Sequence, residues 1–242
     1  MPSEVVKNNE FSSNNHIPEP TAIVCANGDI PPKDFFRFFS RLPIIATDGA
    51  GLRLLQEYHI LPSVVVGDFD SSDPAAYPVP TVYDPSQEEP DFEKALRYAL
   101  QQGHRSILIT GIHGQDFDHT LNNWSIYIRY SRHHFLWIYD HQQIAIGVTR
   151  SVRCSVQPGD TISLIPQPAA LLTTHGLQWA LRREWLRLGK REGARNRAVA
   201  SEIIIEVHKG SCLLFVPARF PSFPKIVYIG NSTSRSIKGA QR

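Results

Sequence analysis

The stretch SVVVGDFDSS, residues 63–72, places three valines directly before an acidic loop. The valines predict a short buried strand, because β-branched residues in an apolar run favour a strand that is covered on both faces. Asp68 and Asp70 lie two residues apart in the loop, and carboxylate oxygens at this spacing can bind a hard cation. Gly67 lets the backbone approach a ligand, and Ser71 can donate a hydrogen bond to a phosphate oxygen. An Asx-turn with two solvated carboxylates is the alternative interpretation of the loop.

Three further apolar runs in the first half of the chain also end in a polar or acidic turn. They are TAIVCA at 21–26 before Asn27-Gly28-Asp29, LPIIAT at 42–47 before Asp48-Gly49, and SILIT at 106–110 before Gly111. Helix-like stretches separate the runs, and this alternation predicts a mostly parallel sheet with helices on both faces. Ligands of such sheets bind at the carboxyl ends of the strands. We therefore expect the turns to meet at one binding edge, whereas a single acid after a strand is commonly only a helix cap.

Two predicted helices begin with side chains that suit this edge. Pro90 is a helix-start signal before Asp91, and the helix that follows has an apolar stripe of helical period. Lys94 shares a face with Asp91 and carries the point charge that suits a phosphate. The second helix is predicted to begin at Asp118, where a capping role for the acid is the alternative interpretation. The predicted buried face of this second helix consists of Leu121, Trp124 and Ile128.

Beyond residue 140 the helical period gives way to short β runs separated by turn signals. We predict an α/β fold class, in which an open, mostly parallel α/β domain covers residues 21–140; the resemblance described below implies that this domain binds nucleotide and carries catalysis. An all-β sandwich over 141–218 follows it. The Asn-, Ser- and Pro-rich residues 1–20 are expected to form a flexible tail. Residues 219–242 are expected to form a C-terminal extension.

The composition is that of an ordinary globular protein and excludes several classes. The chain has 242 residues, a net charge of +2, 42% hydrophobic and 20% charged residues, so nothing indicates a nucleic-acid partner. No apolar stretch reaches the length of a membrane span, and the first residues lack the apolar segment of a secretory signal. The three cysteines have no CxxC spacing, which favours reduced thiols and a cytoplasmic protein. A P-loop, an HExxH motif and a GxSxG elbow are all absent from the sequence.

Several motifs, taken in order between residues 22 and 216, resemble thiamine pyrophosphokinases. They are DGA at 48–50, GDFDS at 67–71, Gln87 followed by PDFEKAL at 90–96, GxxGxxxDHTLxN at 111–123, GDTISLIP at 159–166 and THGLQW at 174–179. The resemblance implies an enzyme that transfers the diphosphate of ATP to the hydroxyl of thiamine, with Mg²⁺ as cofactor. It also implies a homodimer in which thiamine lies between the β-domain of one subunit and the α/β domain of the other.

The resemblance implies a role for each of a set of named residues. The expected catalytic residues are Asp48, Asp68, Asp70, Asp91 and Asp118, of which Asp68 and Asp70 hold the metal. The expected nucleotide-binding residues are Asn27, Ser71, Gln87, Lys94 and His119. The expected thiamine-binding residues are Trp179, whose ring suits a cationic thiazolium, and Asn196.

The chain departs from the family pattern at two places beside the expected site. Pro90 stands where the family usually has threonine, and Asp116 stands where a phosphate-binding arginine is expected. The second change reverses a charge beside a polyphosphate, so we expect weaker binding unless Arg53, His113 or the basic segment 182–197 compensates. A solvated hairpin is the other interpretation of that segment.

Two other functions are compatible with the same residues. One is a phosphohydrolase in which Asp68 is the nucleophile and Asp70 the acid and base, although that chemistry normally places its motif after the first strand. The other is a non-catalytic module that binds thiamine or nucleotide. The departures from the family pattern at Pro90 and Asp116 are the reason for considering it.

Overall fold

Six parallel strands form one half of the sheet in this computed structural model, which describes residues 15–70, 72–114 and 116–230. Their order across the sheet is β6-β5-β1-β2-β3-β4. Every residue of β1, β2, β3 and β5 is buried, which explains why these strands are apolar without alternation. The predicted parallel sheet is confirmed. Its strands are β1 (Ala22–Cys25), β2 (Ile44–Thr47), β3 (Val64–Gly67), β4 (Thr81–Tyr83), β5 (Ser106–Thr110) and β6 (Phe135–Asp140).

Four helices accompany these strands in the described part of the chain. They are α1 (Lys33–Phe38), α2 (Asp48–Gln56), α3 (Asp91–Gln101) and α4 (Phe117–Tyr130). Helix α3 lies across β1, β2 and β3, and buries Phe92, Ala95, Leu96 and Ala99 as its apolar stripe predicts. None of the helices is long and apolar enough to cross a bilayer.

The predicted buried face of α4 is wrong at its first position. Leu121 is 54% exposed, whereas Ile126 and Tyr127 are the buried residues of this helix. The Tyr127 hydroxyl donates a hydrogen bond of 2.9 Å to the backbone carbonyl of Leu136 in β6, which fixes the C-terminal half of the helix on the sheet. The first turns of α4 therefore extend beyond the packed face, and an apolar period alone does not show where packing stops.

The second half of the chain is all-β, as predicted, and its strands pair antiparallel. The two long strands β9 and β12 pair along most of their lengths, and the register shifts at Val207/Lys209 and at Gly210/Cys212. The first half of β12 pairs with β8 and its second half with β7. Inward side chains from the first and the second half of β12 belong to one apolar cluster, as expected where β layers pack face to face. The strands are β7 (Gln143–Val148), β8 (Val152–Ser155), β9 (Thr161–His175), β10 (Glu184–Arg187), β11 (Gly193–Arg197), β12 (Glu202–Pro217) and β13 (Ile226–Tyr228).

The two halves share a hydrogen-bonded sheet, because β6 and β7 form an antiparallel hairpin. The predicted domain boundary at 140/141 falls in the turn of this hairpin, and the division into two domains stays a prediction. The flexible-tail prediction does not hold for residues 15–20, since Ile17 is buried and its N–H donates to the carbonyl of Ile226. In the predicted extension, residues 226–228 form β13, while 1–14 and 231–242 lie outside the described residues.

Candidate active site

Three carboxylates converge at the carboxyl end of β2 and β3. Asp48 is the first residue of α2, directly after β2, and Asp68 directly follows β3. Asp91 is the first residue of α3, the helix that crosses these strands. Each offers an oxygen, and the three oxygens lie within 4.8 Å of one another. The parallel order of neighbouring strands brings the first two together, and the start of α3 adds the third.

Gly67 makes the room that these carboxylates occupy. A Cβ atom at this position would lie 3.0 Å from the Cβ of Asp48 and 3.5 Å from the carboxyl carbon of Asp91. The first distance is tighter than most packed contacts allow, so a side chain here would push the two acids apart. The glycine of the GDFDS motif thus serves the close approach of acidic side chains in this structure.

Lys94 is the cation of this group. Its side chain is only 2% exposed, and its Nζ lies 3.0 Å from Asp91 Oδ1 and 3.6 Å from Asp68 Oδ2. Gln87 donates a hydrogen bond of 2.9 Å from Nε2 to Asp68 Oδ2. One ammonium therefore pairs with two of the three clustered carboxylates, which leaves negative charge in excess at this site.

Asp68 and Lys94 stabilise each other's charged forms. Partial desolvation acts to raise the pKa of Asp68, but hydrogen bonds from the Asp70 backbone N–H, from Gln87 and from Lys94 lower it below its usual value. Burial acts to lower the pKa of Lys94, but its contacts with Asp91 and Asp68 raise it above its usual value. The pair is therefore charged at neutral pH.

The pKa of Asp48 shifts in the opposite direction to that of Asp68. It is 6% exposed, and desolvation, together with the charges of Asp91, Asp70 and Asp68, raises its pKa to about 6. Its Oδ1 accepts the N–H of Gly49, but its buried Oδ2 has no hydrogen-bond partner among the described residues. A buried carboxylate oxygen without a donor is costly, and it points to a cation that completes the site.

The donor set fits Mg²⁺. Mg²⁺ prefers carboxylate oxygen ligands, which Asp48, Asp68 and Asp91 supply, and the orphan Oδ2 of Asp48 lacks a protein donor. The metal pair predicted from the sequence was Asp68 and Asp70. The structure brings Asp68 into the group but leaves Asp70 exposed outside it, with its backbone N–H 3.2 Å from Asp68 Oδ1.

Asp48→Asn is expected to stabilise the metal-free protein at about pH 8 by up to about 3 kcal/mol. Because the folded-state pKa of Asp48, about 6, exceeds its usual value of 3.8, the wild-type protein loses stability as pH rises between these values. The asparagine keeps an oxygen for the Gly49 N–H but has no charge to desolvate.

Urea unfolding of both proteins in metal-free buffer at about pH 8 and about pH 4 measures this difference, which should vanish at the lower pH. The control is Asp34→Asn on the exposed side of α1. An equal effect of Asp48→Asn at both pH values would contradict the expectation.

The structure places the remaining nucleotide-site residues around this group in different ways. Asn27 lies beside α2, where a Cβ on Gly49 would come within 2.2 Å of its Nδ2. Asp118 and His119 are exposed at the start of α4, and the Asp118 carboxylate accepts the backbone N–H of His119 at 2.8 Å. Among the described residues, no hydrogen bond or ion pair joins Asp118 or His119 to the three carboxylates. Ser71 lies outside the described residues.

The two predicted thiamine-binding residues lie together in the β half. Asn196 Nδ2 donates to the carbonyl of Trp179 at 2.8 Å, and its Oδ1 accepts the Trp179 N–H at 3.1 Å. This double hydrogen bond fixes the backbone of Trp179, while 61% of the residue remains exposed. An aromatic face held in this way is available to a flat, cationic ligand.

Two further residues lie near the site: Tyr77, which was not predicted, and Arg53, which was named from the sequence only as a cation that could compensate for Asp116. Tyr77 donates from its hydroxyl to the backbone carbonyl of Asp48 at 2.6 Å and so positions the start of α2. Arg53 Nη1 donates to the carbonyls of Gly28 at 2.7 Å and Asn27 at 3.3 Å, which ties α2 to the turn after β1. Neither residue lies in a sequence motif, and only their hydrogen bonds in the folded chain show that they position the start of α2 and the turn after β1.

The two departures from the family pattern lie at helix starts. Pro90 precedes α3 as its N-cap, where the absence of a backbone donor does no harm. Asp116 precedes α4 and is exposed, and its side chain makes no capping hydrogen bond. The basic segment 182–197 contains β10 and β11, both paired with β9, and is mostly exposed.

Comparison with known proteins relates part of the chain to one family model. Residues 40–138 match the family model of the thiamin pyrophosphokinase catalytic domain, and this segment contains the three carboxylates, Gln87 and Lys94. No curated protein sequence matches the chain.

Solved structures of thiamine pyrophosphokinases share the fold. The enzyme of Bacillus subtilis is 23% identical with a TM-score of 0.69, and the match covers 81% of this chain and 99% of that one. The protein of Geobacillus thermodenitrificans is 19% identical with a TM-score of 0.70, covering 84% and 99%. The yeast enzyme is 17% identical with a TM-score of 0.68, covering 87% of each chain. The chain therefore has the fold of these proteins, and its residues 40–138 are similar to the catalytic domain of thiamin pyrophosphokinases.

Proposed function

We propose that the protein is a thiamine diphosphokinase, which transfers the diphosphate of ATP to the hydroxyl of thiamine and releases AMP. The observation that carries the proposal is the group of Asp48, Asp68 and Asp91 around the buried Lys94, inside the segment that matches the catalytic domain. Excess negative charge at a sheet edge suits a cation that binds a polyphosphate. The thiamine hydroxyl attacks the β-phosphorus, and the bond between the α- and β-phosphates breaks.

Each residue of the group has a physical role in this reaction. Asp48, Asp68 and Asp91 would hold Mg²⁺, which supplies positive charge to the phosphate oxygens when bound. Lys94 favours the ionised form of Asp68, pairs with Asp91 and adds a fixed cation at the same edge. Gln87 orients the carboxylate of Asp68 through its hydrogen bond. Transfer of this kind depends on positioning and charge, so no dedicated base is required.

The thiamine site would be completed by two subunits. Trp179 and Asn196 lie in the β half and the carboxylates at the edge of the parallel sheet, so we propose the homodimer in which one subunit's Trp179 serves the other's carboxylates. A cytoplasmic location is proposed as well, and the buried free thiols of Cys25, Cys154 and Cys212 support it.

The test is an assay of AMP release from MgATP with thiamine as acceptor, with the product identified by mass. AMP together with thiamine diphosphate would establish the reaction. Thiamine binding without AMP would favour the non-catalytic module. Inorganic phosphate release with a phosphate trapped on Asp68 would favour the phosphohydrolase, and both of these results would overturn the proposal.

Trp179→Ala is expected to raise the KM for thiamine about tenfold, which corresponds to about 1.4 kcal/mol of lost cation–π and stacking energy. The KM for ATP and the thermal stability should not change, because the indole is largely exposed. Steady-state kinetics with each substrate varied in turn measures the effect. Trp185→Ala, at an exposed tryptophan of β10, is the matched control, and equal effects of both substitutions would remove Trp179 from the thiamine site.

A further inference from the structure

A second group of metal-binding side chains lies at the same edge of the parallel sheet, at the ends of β1, β5 and β6. Asp29 follows β1, His113 follows β5, and His141 follows β6. One ligand atom from each lies within 4.8 Å of the others. Asp140, the last residue of β6, places its Oδ1 2.8 Å from His113 Nε2 and 3.5 Å from His141 Nε2.

The backbone brings these side chains together without leaving space between the turns. The N–H of Asp29 donates to the carbonyl of His113 at 2.6 Å, and the N–H of Gly28 donates to the carbonyl of Gly111 at 2.7 Å. A Cβ atom on Gly114 would lie 2.0 Å from the carboxyl carbon of Asp29. The carboxylate therefore occupies a space that only glycine leaves open. The two hydrogen bonds join the turn after β1 to the turn after β5.

The contacts within the group do not satisfy its polar atoms. Asp29 Oδ2 lies 3.9 Å from His113 Nε2 and 4.0 Å from His141 Nε2, beyond hydrogen-bond distance. His113 Nε2 and Asp140 Oδ1 are buried, and despite their separation of 2.8 Å neither makes a hydrogen bond with the described residues. The described residues provide no lysine or arginine within ion-pair distance of either carboxylate. Buried polar atoms without a hydrogen bond require a partner, and a cation between them would serve all four side chains.

The distances suit a small ion at the centre. A tetrahedral zinc site with bonds of about 2.0 Å has neighbouring ligand atoms about 3.3 Å apart. The separations of 2.8, 3.5, 3.9 and 4.0 Å between the histidine nitrogens and the carboxylate oxygens bracket that value. His141 and Asp29 are exposed, so an ion can enter from solvent.

His141 lies in a tight turn with a left-handed backbone, a conformation in which histidine is one of the enriched residue types. It and Gln142 form the two-residue turn between β6 and β7, with φ of 39° and 73°. Such turns favour Asn-Gly, because both positions have left-handed backbone. The imidazole held by this turn lies beside that of His113, with ring centroids 5.2 Å apart.

We propose that Asp29, His113 and His141, with Asp140 as the fourth donor, bind a divalent transition-metal ion of the Zn²⁺ type. Two imidazole nitrogens and two carboxylates form a donor set that suits Zn²⁺ or Co²⁺, whereas Mg²⁺ prefers oxygen ligands alone. The site is distinct from the group of Asp48, Asp68 and Asp91, and the proposal does not depend on the transfer reaction.

The experiment uses the full chain after removal of metals with a chelator. Mg²⁺ is then added in large excess to occupy the all-oxygen group, and Zn²⁺ is titrated by calorimetry, with bound zinc measured by elemental analysis. Co²⁺ in the same position should give a visible absorption band of tetrahedral character. We expect one Zn²⁺ per chain, and His141→Asn should weaken its binding at least about tenfold.

The variants are chosen so that the fold is retained. Asparagine is favoured at left-handed positions, so His141→Asn suits the turn. The matched control is His59→Asn, at another exposed histidine with φ of 53°, which should bind Zn²⁺ as the wild type does. Asp29→Asn should weaken binding like His141→Asn.

Equal zinc uptake by the wild type and His141→Asn, or no uptake by either, would overturn the proposal. Zinc binding without diphosphate transfer would support it and count only against the proposed function.

Discussion

A Lys94→Met variant is expected to lose diphosphate transfer by at least about a hundredfold and about 3 kcal/mol of unfolding free energy. Among the described residues, Lys94 is the one cation that forms ion pairs with the group, through Asp68 and Asp91, and its side chain is almost fully buried. Methionine keeps the length and apolar stem but leaves Asp48, Asp68 and Asp91 to repel one another. Removing one partner of a buried ion pair costs more than the pair itself contributes.

Urea unfolding and the AMP-release assay measure the two losses at Lys94 separately. Saturating Mg²⁺ should restore part of the stability of the variant, because the ion replaces the missing positive charge, but it should not restore transfer. The control is Lys33→Met at the exposed start of α1. If Lys94→Met kept wild-type stability and activity, repulsion between the three carboxylates would not destabilise the protein and the group would have no role in transfer.

Asp68→Asn is expected to reduce transfer by about a hundred- to a thousandfold while the protein stays folded. Asp68 is the carboxylate with the most contacts in the group, since it accepts hydrogen bonds from Gln87 and from the backbone N–H of Asp70 and faces Lys94. Asparagine keeps the shape and one acceptor oxygen but removes the charge that a magnesium ion requires. The dependence of the rate on Mg²⁺ concentration should shift to higher concentration in the variant.

The matched control for Asp68→Asn lies in the same loop. Asp73 is exposed, and its carboxylate accepts the N–H of Ala75 at 2.9 Å, a cap that asparagine also provides. Asp73→Asn should therefore keep both rate and magnesium dependence. If the two variants have the same activity, the negative charge of Asp68 has no role in transfer.

The sequence by itself determined the order of the strands along the chain and the edge at which the site lies. Uninterrupted runs such as those ending at Thr47 and Gly67 have to be buried on both faces, and parallel strands have to present their carboxyl ends together. For this reason Asp48 and Asp68 could be predicted to meet. The start of α3 was also predictable, because Pro90 and the apolar stripe after Asp91 are local signals.

Only the tertiary structure decided which side chains of that edge come into contact. Asp70 is as near to Asp68 in sequence as a ligand pair requires, yet Asp91 is the acid that meets Asp48 and Asp68 in the structure. The exposure of Leu121, which helical period alone would bury, depends on where α4 leaves the sheet. The convergence of Asp29, His113 and His141 depends on the order β6-β5-β1. Periodicity and motifs describe neighbours along the chain, whereas these contacts arise from strand pairing between distant segments, over about a hundred residues for Asp29 and His141, which no local signal carries.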